Sequence, residues 1–221
     1  MPIKRNAKIV IADYGMGNLF NLKRAIEHID GTVKISNNIN ELISADRLII
    51  PGVGSFANGI KAICDLGISD AIYEFVNKER PLLGICLGMQ LLMSRGYESG
   101  ISEGLGVIQG VVQKLYSPDH ETSSFKVPHI GWNSLKNISN FNKKYLWANT
   151  ILNGLSCKDY FYFVHSYYVL PVNRECIIAE TVYGKNNFCS VIHQNNVFGC
   201  QFHPERSGEK WLQILKNFIF N

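Results

Sequence analysis

Pro81-Leu-Leu-Gly-Ile-Cys86-Leu-Gly-Met-Gln90 is the stretch that decides the fold. Its first five residues are an uncharged apolar run, short enough for a strand buried on both faces. Such a strand belongs to a parallel sheet covered by helices on both sides. The run passes directly into a helix-forming stretch, and the junction reads Gly84-Ile-Cys86-Leu-Gly88. That is the G-x-nucleophile-x-G spacing of a strand–turn–helix elbow, with Cys in the nucleophile position. The spacing has a steric cause: a nucleophile on a sharp, strained turn leaves little room for Cβ atoms two positions before and after it. The helix start sets partial positive charge beside the sulfur, which favours thiolate. It also leaves the Leu87 N–H directed toward a developing oxyanion. The plainer alternative is a core cysteine in a buried strand that happens to be flanked by glycines.

Upstream of the elbow, strand and helix signals alternate. Residues 8–12 read as a strand, followed by the Gly-bearing turn Asp13-Tyr-Gly-Met-Gly-Asn18. Leu22, Ala25, Ile26 and Ile29 recur at three/four spacing, which predicts a helix with Asn18 as its cap and Gly31 as its stop. Residues 32–36 and 47–50 read as strands, 56–66 and 69–78 as helices, and a short helix is expected from the elbow through Met93. This alternation gives parallel βαβ units. Downstream, 107–115, 160–169, 176–183, 188–193 and 197–202 are β-rich, with Asn186-Asn187 and Asn195-Asn196 as turns. Residues 117–126 read as a mobile surface loop. A last helix over 207–220 is expected to bury Trp211, Leu212, Leu215, Phe218 and Ile219. The expected fold is therefore α/β: a mostly parallel central sheet flanked by helices, with additional antiparallel strands in the C-terminal half. With no internal repeat or linker, one domain over 1–221 is expected.

Composition narrows the function classes. At 221 residues and 46% hydrophobic, the chain can bury a substantial core, and 18% charged residues is too few for a disordered chain. The net charge of +4 comes in no block, so there is no electrostatic footprint for nucleic acid. The apolar stretch after the basic start stops at Asp13, too short for a secretory signal, and no run reaches the length of a membrane span. Cysteines at 64, 86, 157, 176, 189 and 200 have the irregular spacing of reduced thiols. A cytoplasmic protein is expected. His120, His129, His165, His193 and His203 have no short-range spacing that Cys or carboxylates complete, so no metal site is expected. Gly15 and Gly17 are followed by Phe20 where a dinucleotide fingerprint needs a third glycine, and no cofactor is expected.

His203-Pro-Glu205 supplies partners for a thiol nucleophile. Histidine can take the thiol proton and return it to a leaving amine, and a carboxylate on its far nitrogen fixes the tautomer. A surface His-Pro-Glu turn is the alternative when the motif is taken alone. Pro51-Gly-Val-Gly54 follows the strand 47–50. Glycines on either side of Val53 allow a backbone that presents N–H groups at Val53 and Gly54 to a substrate oxygen, beside the donor at Leu87. An ordinary strand-to-helix turn would read the same way.

These motifs resemble a known family. Gly84-Ile-Cys-Leu-Gly-Met-Gln90, Pro51-Gly-Val-Gly54 and Phe202-His-Pro-Glu205 are similar to those of the triad-type (class I) glutamine amidotransferases. Asp13-Tyr-Gly-Met-Gly-Asn-Leu19, Pro128-His-Ile-Gly-Trp-Asn133 and Tyr162-Phe-Val-His-Ser-Tyr167 resemble more closely the glutaminase subunits of imidazole glycerol phosphate synthases, and the likeness runs from Ile9 to Phe218. The resemblance implies a Cys86–His203–Glu205 triad that hydrolyses glutamine through a glutamyl thioester. It implies a substrate pocket of Gly52, Gln90, His165, Ser166 and Tyr167, although His165 in an aromatic-rich strand also fits a satisfied core histidine. It further implies a heterodimer with a (β/α)8-barrel cyclase that takes up the ammonia, with Asn18, Asn21, Trp132 and Arg206 at the interface. Arg206 stands where the histidine-pathway subunits commonly carry Lys. Its planar fork is a different group at a packed interface, and it keeps open a related glutaminase serving amidination of a surface-polysaccharide sugar. A catalytically silent binding module on the same fold is the alternative from another class.

Overall fold

A computed structural model describes residues 7–116, 125–138, 147–203 and 209–220. The first half runs β1 (Ile9–Ala12), α1 (Leu19–His28), β2 (Val33–Ser36), α2 (Ile39–Ser44), β3 (Arg47–Ile50), α3 (Phe56–Asp65), α4 (Ile68–Asn77), β4 (Leu82–Ile85) and α5 (Leu87–Leu91). The second half is mostly strand: β5 (Met93–Gly96), β6 (Ser102–Glu103), β7 (Ile108–Lys114), β8 (His129–Ser134), β9 (Tyr160–His165), β10 (Tyr167–Pro171), β11 (Ile177–Tyr183), β12 (Asn186–Gln194) and β13 (Val197–Cys200), closed by α6 (Glu209–Phe220).

The central sheet has seven strands in the order β11-β12-β13-β4-β3-β1-β2. From β13 to β2 every pairing is parallel, and β12 and β11 extend it antiparallel at one edge. Alternation along the strands divides their side chains between two cores. Val10, Leu48, Ile50 and Leu82 face Phe56, Ile63, Ile72 and Phe75 of α3 and α4. Ile9, Ile11, Ile49, Leu83 and Ile85 face Leu22 and Ile26 of α1 and Trp211, Leu215 and Phe218 of α6. Burial on both faces is why these strands read as continuous apolar runs. A four-stranded sheet, β10-β7-β5-β6, and a two-stranded ribbon, β8–β9, complete the structure.

Several local expectations change. The helix after the elbow ends at Leu91, not Met93, because Met93 begins β5 and pairs with Ile108. The segment 160–169 is two strands, not one. Ser166 separates β9, which pairs with β8, from β10, which pairs with β7 in another sheet. Asn186 and Asn187 lie inside β12, paired with Tyr183 and Val182, and the turn falls on Gly184 with φ 58°. In α6 the face is shifted slightly: Ile214 is buried and Leu212 is half-buried. Periodicity in the sequence does not mark the short α2 or the strands β5, β6 and β8. The predicted loop 117–126 and helix start at 207 lie largely outside the described residues.

Candidate active site

Three adjacent parallel strands deliver the chemistry to one place. Ile50 of β3 is in register with Gly84 of β4, and Cys200 of β13 with Ile85. The chain therefore leaves the carboxyl ends of β3, β4 and β13 side by side, carrying 51–54, Cys86 and His203. That edge is where open α/β sheets hold ligands. The Cys86 N–H donates to the Cys200 carbonyl at 2.7 Å, which pins the elbow to the strand that leads to His203.

The elbow is strained and sterically locked. Cys86 has φ 52° and ψ −109°, a region where a side chain costs on the order of 1–3 kcal/mol. A Cβ on Gly84 would lie 2.8 Å from the Gly88 carbonyl oxygen and from the Met89 nitrogen. A Cβ on Gly88 would collide with the Ile50 carbonyl oxygen. The glycine spacing read from the sequence is thus required by backbone packing. Cys86 occupies the N-cap position of the five-residue α5, below the unpaired amides of its first turn.

The turn after β3 approaches equally closely. Gly54 has φ 113°. A Cβ on Gly52 would lie 2.5 Å from the Tyr14 hydroxyl and 2.8 Å from the Leu87 Cβ. The buried Tyr14 hydroxyl donates to the Pro51 carbonyl. Burial, with the neighbouring Cys86 adding to it, pushes the Tyr14 phenol above its ordinary range, so it remains a donor at physiological pH.

A cavity of about 320 Å³ opens above Cys86, at the small end of the range for small-molecule sites. Val53, Gly54, Cys86 and Leu87 form one side; Pro128, Val164, His165, Ser166 and Tyr167 form the other. Gln90, Glu98 and His203 complete the lining. His203 is 5% exposed, and its N–H donates to the Tyr162 carbonyl at 2.7 Å, so β9 fixes its backbone. Glu98 accepts the Phe56 N–H at 2.6 Å, capping α3, and Tyr167 donates its hydroxyl to the Glu98 carbonyl at 3.2 Å.

Two neutral imidazoles support the far side. His165 Nδ1 lies 2.9 Å from the Tyr167 carbonyl, which can only accept, so Nδ1 carries the proton. His165 Nε2 is then an acceptor, and His129 Nδ1 donates to it at 3.2 Å. Burial lowers the His129 pKa to about 4. Burial, with smaller contributions from His129 and His203, lowers that of His165 to about 3 against its bond to Tyr167.

The sequence-predicted residues Val53, Gly54, Cys86, Leu87, Gln90, His165, Ser166, Tyr167 and His203 therefore meet around one cavity. Gly52 lies beneath it, in a small crevice shared with Asn18 and His203. The Asn18 side chain accepts the Asn21 N–H at 3.4 Å as the cap of α1, and Asn21 is exposed. Trp132 is 55% exposed, edge-on to Tyr162. Glu205 and Arg206 lie outside the described residues. Among the described residues no group of His, Cys, Asp and Glu could hold a metal ion, and all six cysteines are unbridged.

The family description "Glutamine amidotransferase class-I" matches residues 10–221. The chain belongs to that family. Among relatives of this amidotransferase, the imidazole glycerol phosphate synthase subunit HisH 1 of Legionella pneumophila (strain Lens) is 40% identical over 213 residues, covering 96% of this chain and 99% of that one. The subunit HisH of Methanocaldococcus jannaschii is 41% identical over 211 residues, 96% and 98% of the two chains. That of Chlorobaculum tepidum is 40% identical over 210 residues, 95% and 98%. A crystal structure of a glutamine amidotransferase superposes with TM-score 0.68 at 18% identity, over 95% of this chain and 98% of that one. PurLQS from Thermotoga maritima gives 0.67 at 16%, over 97% and 98%. These structural likenesses carry the fold, an α/β architecture with a mostly parallel sheet and antiparallel additions.

Sequence reasoning missed four residues that build this amidotransferase site: Tyr14, Glu98, His129 and Gln201. Gln201 is fully buried, and its Nε2 lies 3.6 Å from the Cys86 sulfur. Strand parity could have found it, since residues two apart share a side and Gln201 precedes His203 by two. His129 lies within the Pro128–Asn133 motif but carries no role of its own there, and Glu98 reaches the site from the bend between β5 and β6 with no local signature.

Proposed function

We propose that this amidotransferase is the glutamine-hydrolysing subunit of an imidazole glycerol phosphate synthase, with Cys86 as its nucleophile. The observation that carries the reading is the strained Cys86 elbow opening into a cavity shared with His203 and the glycine turn at 51–54. The family description supports glutamine as the substrate, and the names of relatives at about 40% identity over nearly the whole chain support the synthase.

In this mechanism His203 accepts the Cys86 thiol proton as the sulfur attacks the side-chain amide carbon of glutamine. The negative charge on the amide oxygen is received by the N–H of Leu87 and by the backbone at Val53 and Gly54, where each donor contributes about 10²–10³ in rate. The tetrahedral intermediate collapses as His203 returns the proton to the departing nitrogen. A thioester remains and ammonia leaves. Water, deprotonated by His203, then hydrolyses the thioester to glutamate and restores the thiol. Glu205 has the role of orienting the imidazole of His203. Gly52, Gln90, His165, Ser166 and Tyr167 shape the pocket, and the Glu98 carboxylate suits the substrate's ammonium group.

The ammonia passes to a (β/α)8-barrel cyclase subunit in the cytoplasm, and the whole chain acts as one glutaminase domain. Asn18, Asn21, Trp132 and Arg206 belong to the contact with that partner. Support comes from an apolar strip on the β8–β9 ribbon, where Ile130, Trp132 and Tyr160 are all more than half exposed beside the cavity. No helix among the described residues is long and apolar enough to cross a membrane.

The test joins chemistry and pathway. Cys86→Ala should lower glutamine-dependent turnover of the complex by about 10⁴-fold or more while leaving turnover with added ammonia. The wild-type gene should restore growth to a histidine-requiring strain lacking this subunit. Retained glutaminase in the variant overturns the nucleophile; failed complementation overturns the pathway, and loss of an amidinated surface sugar on deletion would then favour the polysaccharide reading.

A further inference from the structure

Gln201 follows the end of β13, between Cys200 and Phe202, and is wholly buried. Phe202 turns into the aromatic core, stacked on Phe161 with ring centroids 4.5 Å apart. Gln201 takes the opposite side, toward Cys86. The hydrogen bonds there have a direction set by one backbone oxygen. The Tyr167 carbonyl only accepts, so Gln90 must present its amide nitrogen to it, at 2.9 Å. The second N–H of that amide goes to Gln201 Oε1 at 3.0 Å. With its oxygen engaged, Gln201 presents Nε2 to the Cys86 sulfur at 3.6 Å. Reversing the Gln201 amide would set NH₂ against NH₂ at Gln90 and leave the sulfur facing an oxygen. The order of the chain is therefore fixed, and it ends with a donor on the nucleophile.

We infer that Gln201 is a positioning residue that holds the Cys86 sulfur and favours its ionised form, with Gln90 keeping the Gln201 amide turned in the donating sense. The physical basis is asymmetry between the two charge states. A thiol is a weak acceptor, whereas an N–H bond to an ionised acceptor is about twice as strong as a neutral one. Cys86 is 6% exposed and Gln201 fully buried, so little solvent competes for this bond. Gln90 also lines the cavity, so a substrate amide seated there touches the same chain that ends on the sulfur. The inference deepens the reading of Cys86 as nucleophile and rests on it.

The experiment measures alkylation of Cys86 by iodoacetamide in the full-length protein from pH 6 to 10, for wild type, Gln201→Met and Gln201→Glu. Peptide mass spectrometry separates Cys86 from the exposed thiols of Cys64 and Cys157. At pH 7 the Cys86 rate should fall about tenfold in Gln201→Met, the loss of one charge-assisted bond. It should fall further in Gln201→Glu, whose carboxylate repels the thiolate. The wild type and Gln201→Met rates should converge at high pH, where the thiol is ionised without help; a merely structural role would leave a gap at every pH. Equal rates at pH 7 in a reactive wild type and in Gln201→Met overturn the inference alone. A wild-type Cys86 that reacts no faster than Cys64 overturns the nucleophile reading and the inference with it. If neither variant folds, the wild type still decides: the Gln201 side-chain amide resonance should shift when Cys86 is alkylated, and an unmoved resonance overturns the inference.

Discussion

The two sides of the cavity are held by different forces. On the elbow side, backbone meets backbone: Gly88 lies against the Ile50 carbonyl, Gly84 against Gly88 and Met89, and Gly52 against the Gly88 nitrogen. On the opposite side, the ribbon and the segment leading to Tyr167 are held by oriented hydrogen bonds through His129 and His165. Gly131 on that ribbon has φ 141° and nothing within 4 Å of where a Cβ would sit. Steric exclusion fixes position but carries no charge. A hydrogen-bonded side fixes position less tightly and responds to pH. Cys86 stands on the first side, and the second side lines the cavity opposite it.

The largest effect should come from placing the same methyl group on each side. Gly88→Ala forces a Cβ into the Ile50 carbonyl and should destabilise the protein by about 4 kcal/mol or more, if it folds at all. Gly131→Ala meets open space and should lose only about 1–2 kcal/mol, the backbone strain of its φ. Urea denaturation of the two variants checks the contrast, and equal losses would erase the distinction between the sides.

A smaller effect should separate the sides by pH. Below pH 6.5 the unfolded chain protonates its histidines, whereas burial keeps His129 neutral to about 4 and His165 to about 3. Stability is therefore complete above pH 6.5 and falls as the pH drops toward 4. The loss should be about 2 kcal/mol for each of the two by pH 5. Denaturation midpoints between pH 7 and pH 5 test the slope, and His129→Gln should roughly halve it. A wild-type slope near zero would show that these imidazoles are not held neutral.

The same division explains what the sequence makes legible. The elbow, the 51–54 turn and His203-Pro-Glu205 each compress their chemistry into three to five neighbouring residues. Apolar runs such as Arg47–Ile50 and Leu82–Ile85 mark the parallel sheet for the same local reason. The hydrogen-bonded side joins residues 90, 129, 165, 167 and 201, and no window contains them together. His165 and Gln90 are legible through family resemblance; His129 lies within the quoted Pro128–Asn133 motif without a role attached to it, and Gln201 has no local signal except strand parity. The break at Ser166 was hidden because Tyr160–His165 and Tyr167–Pro171 are both apolar and aromatic. Only pairing with different partners divides them.

The central claim is that Cys86, and no other thiol, attacks a glutamine side chain. Its most direct test is trapping by a glutamine-analogue electrophile such as a diazoketone, applied to the chain purified with its cyclase partner. One adduct per chain, located on the Cys86 peptide and suppressed by excess glutamine, is the predicted result. No adduct at Cys86, or labelling that glutamine leaves unchanged, would contradict the account.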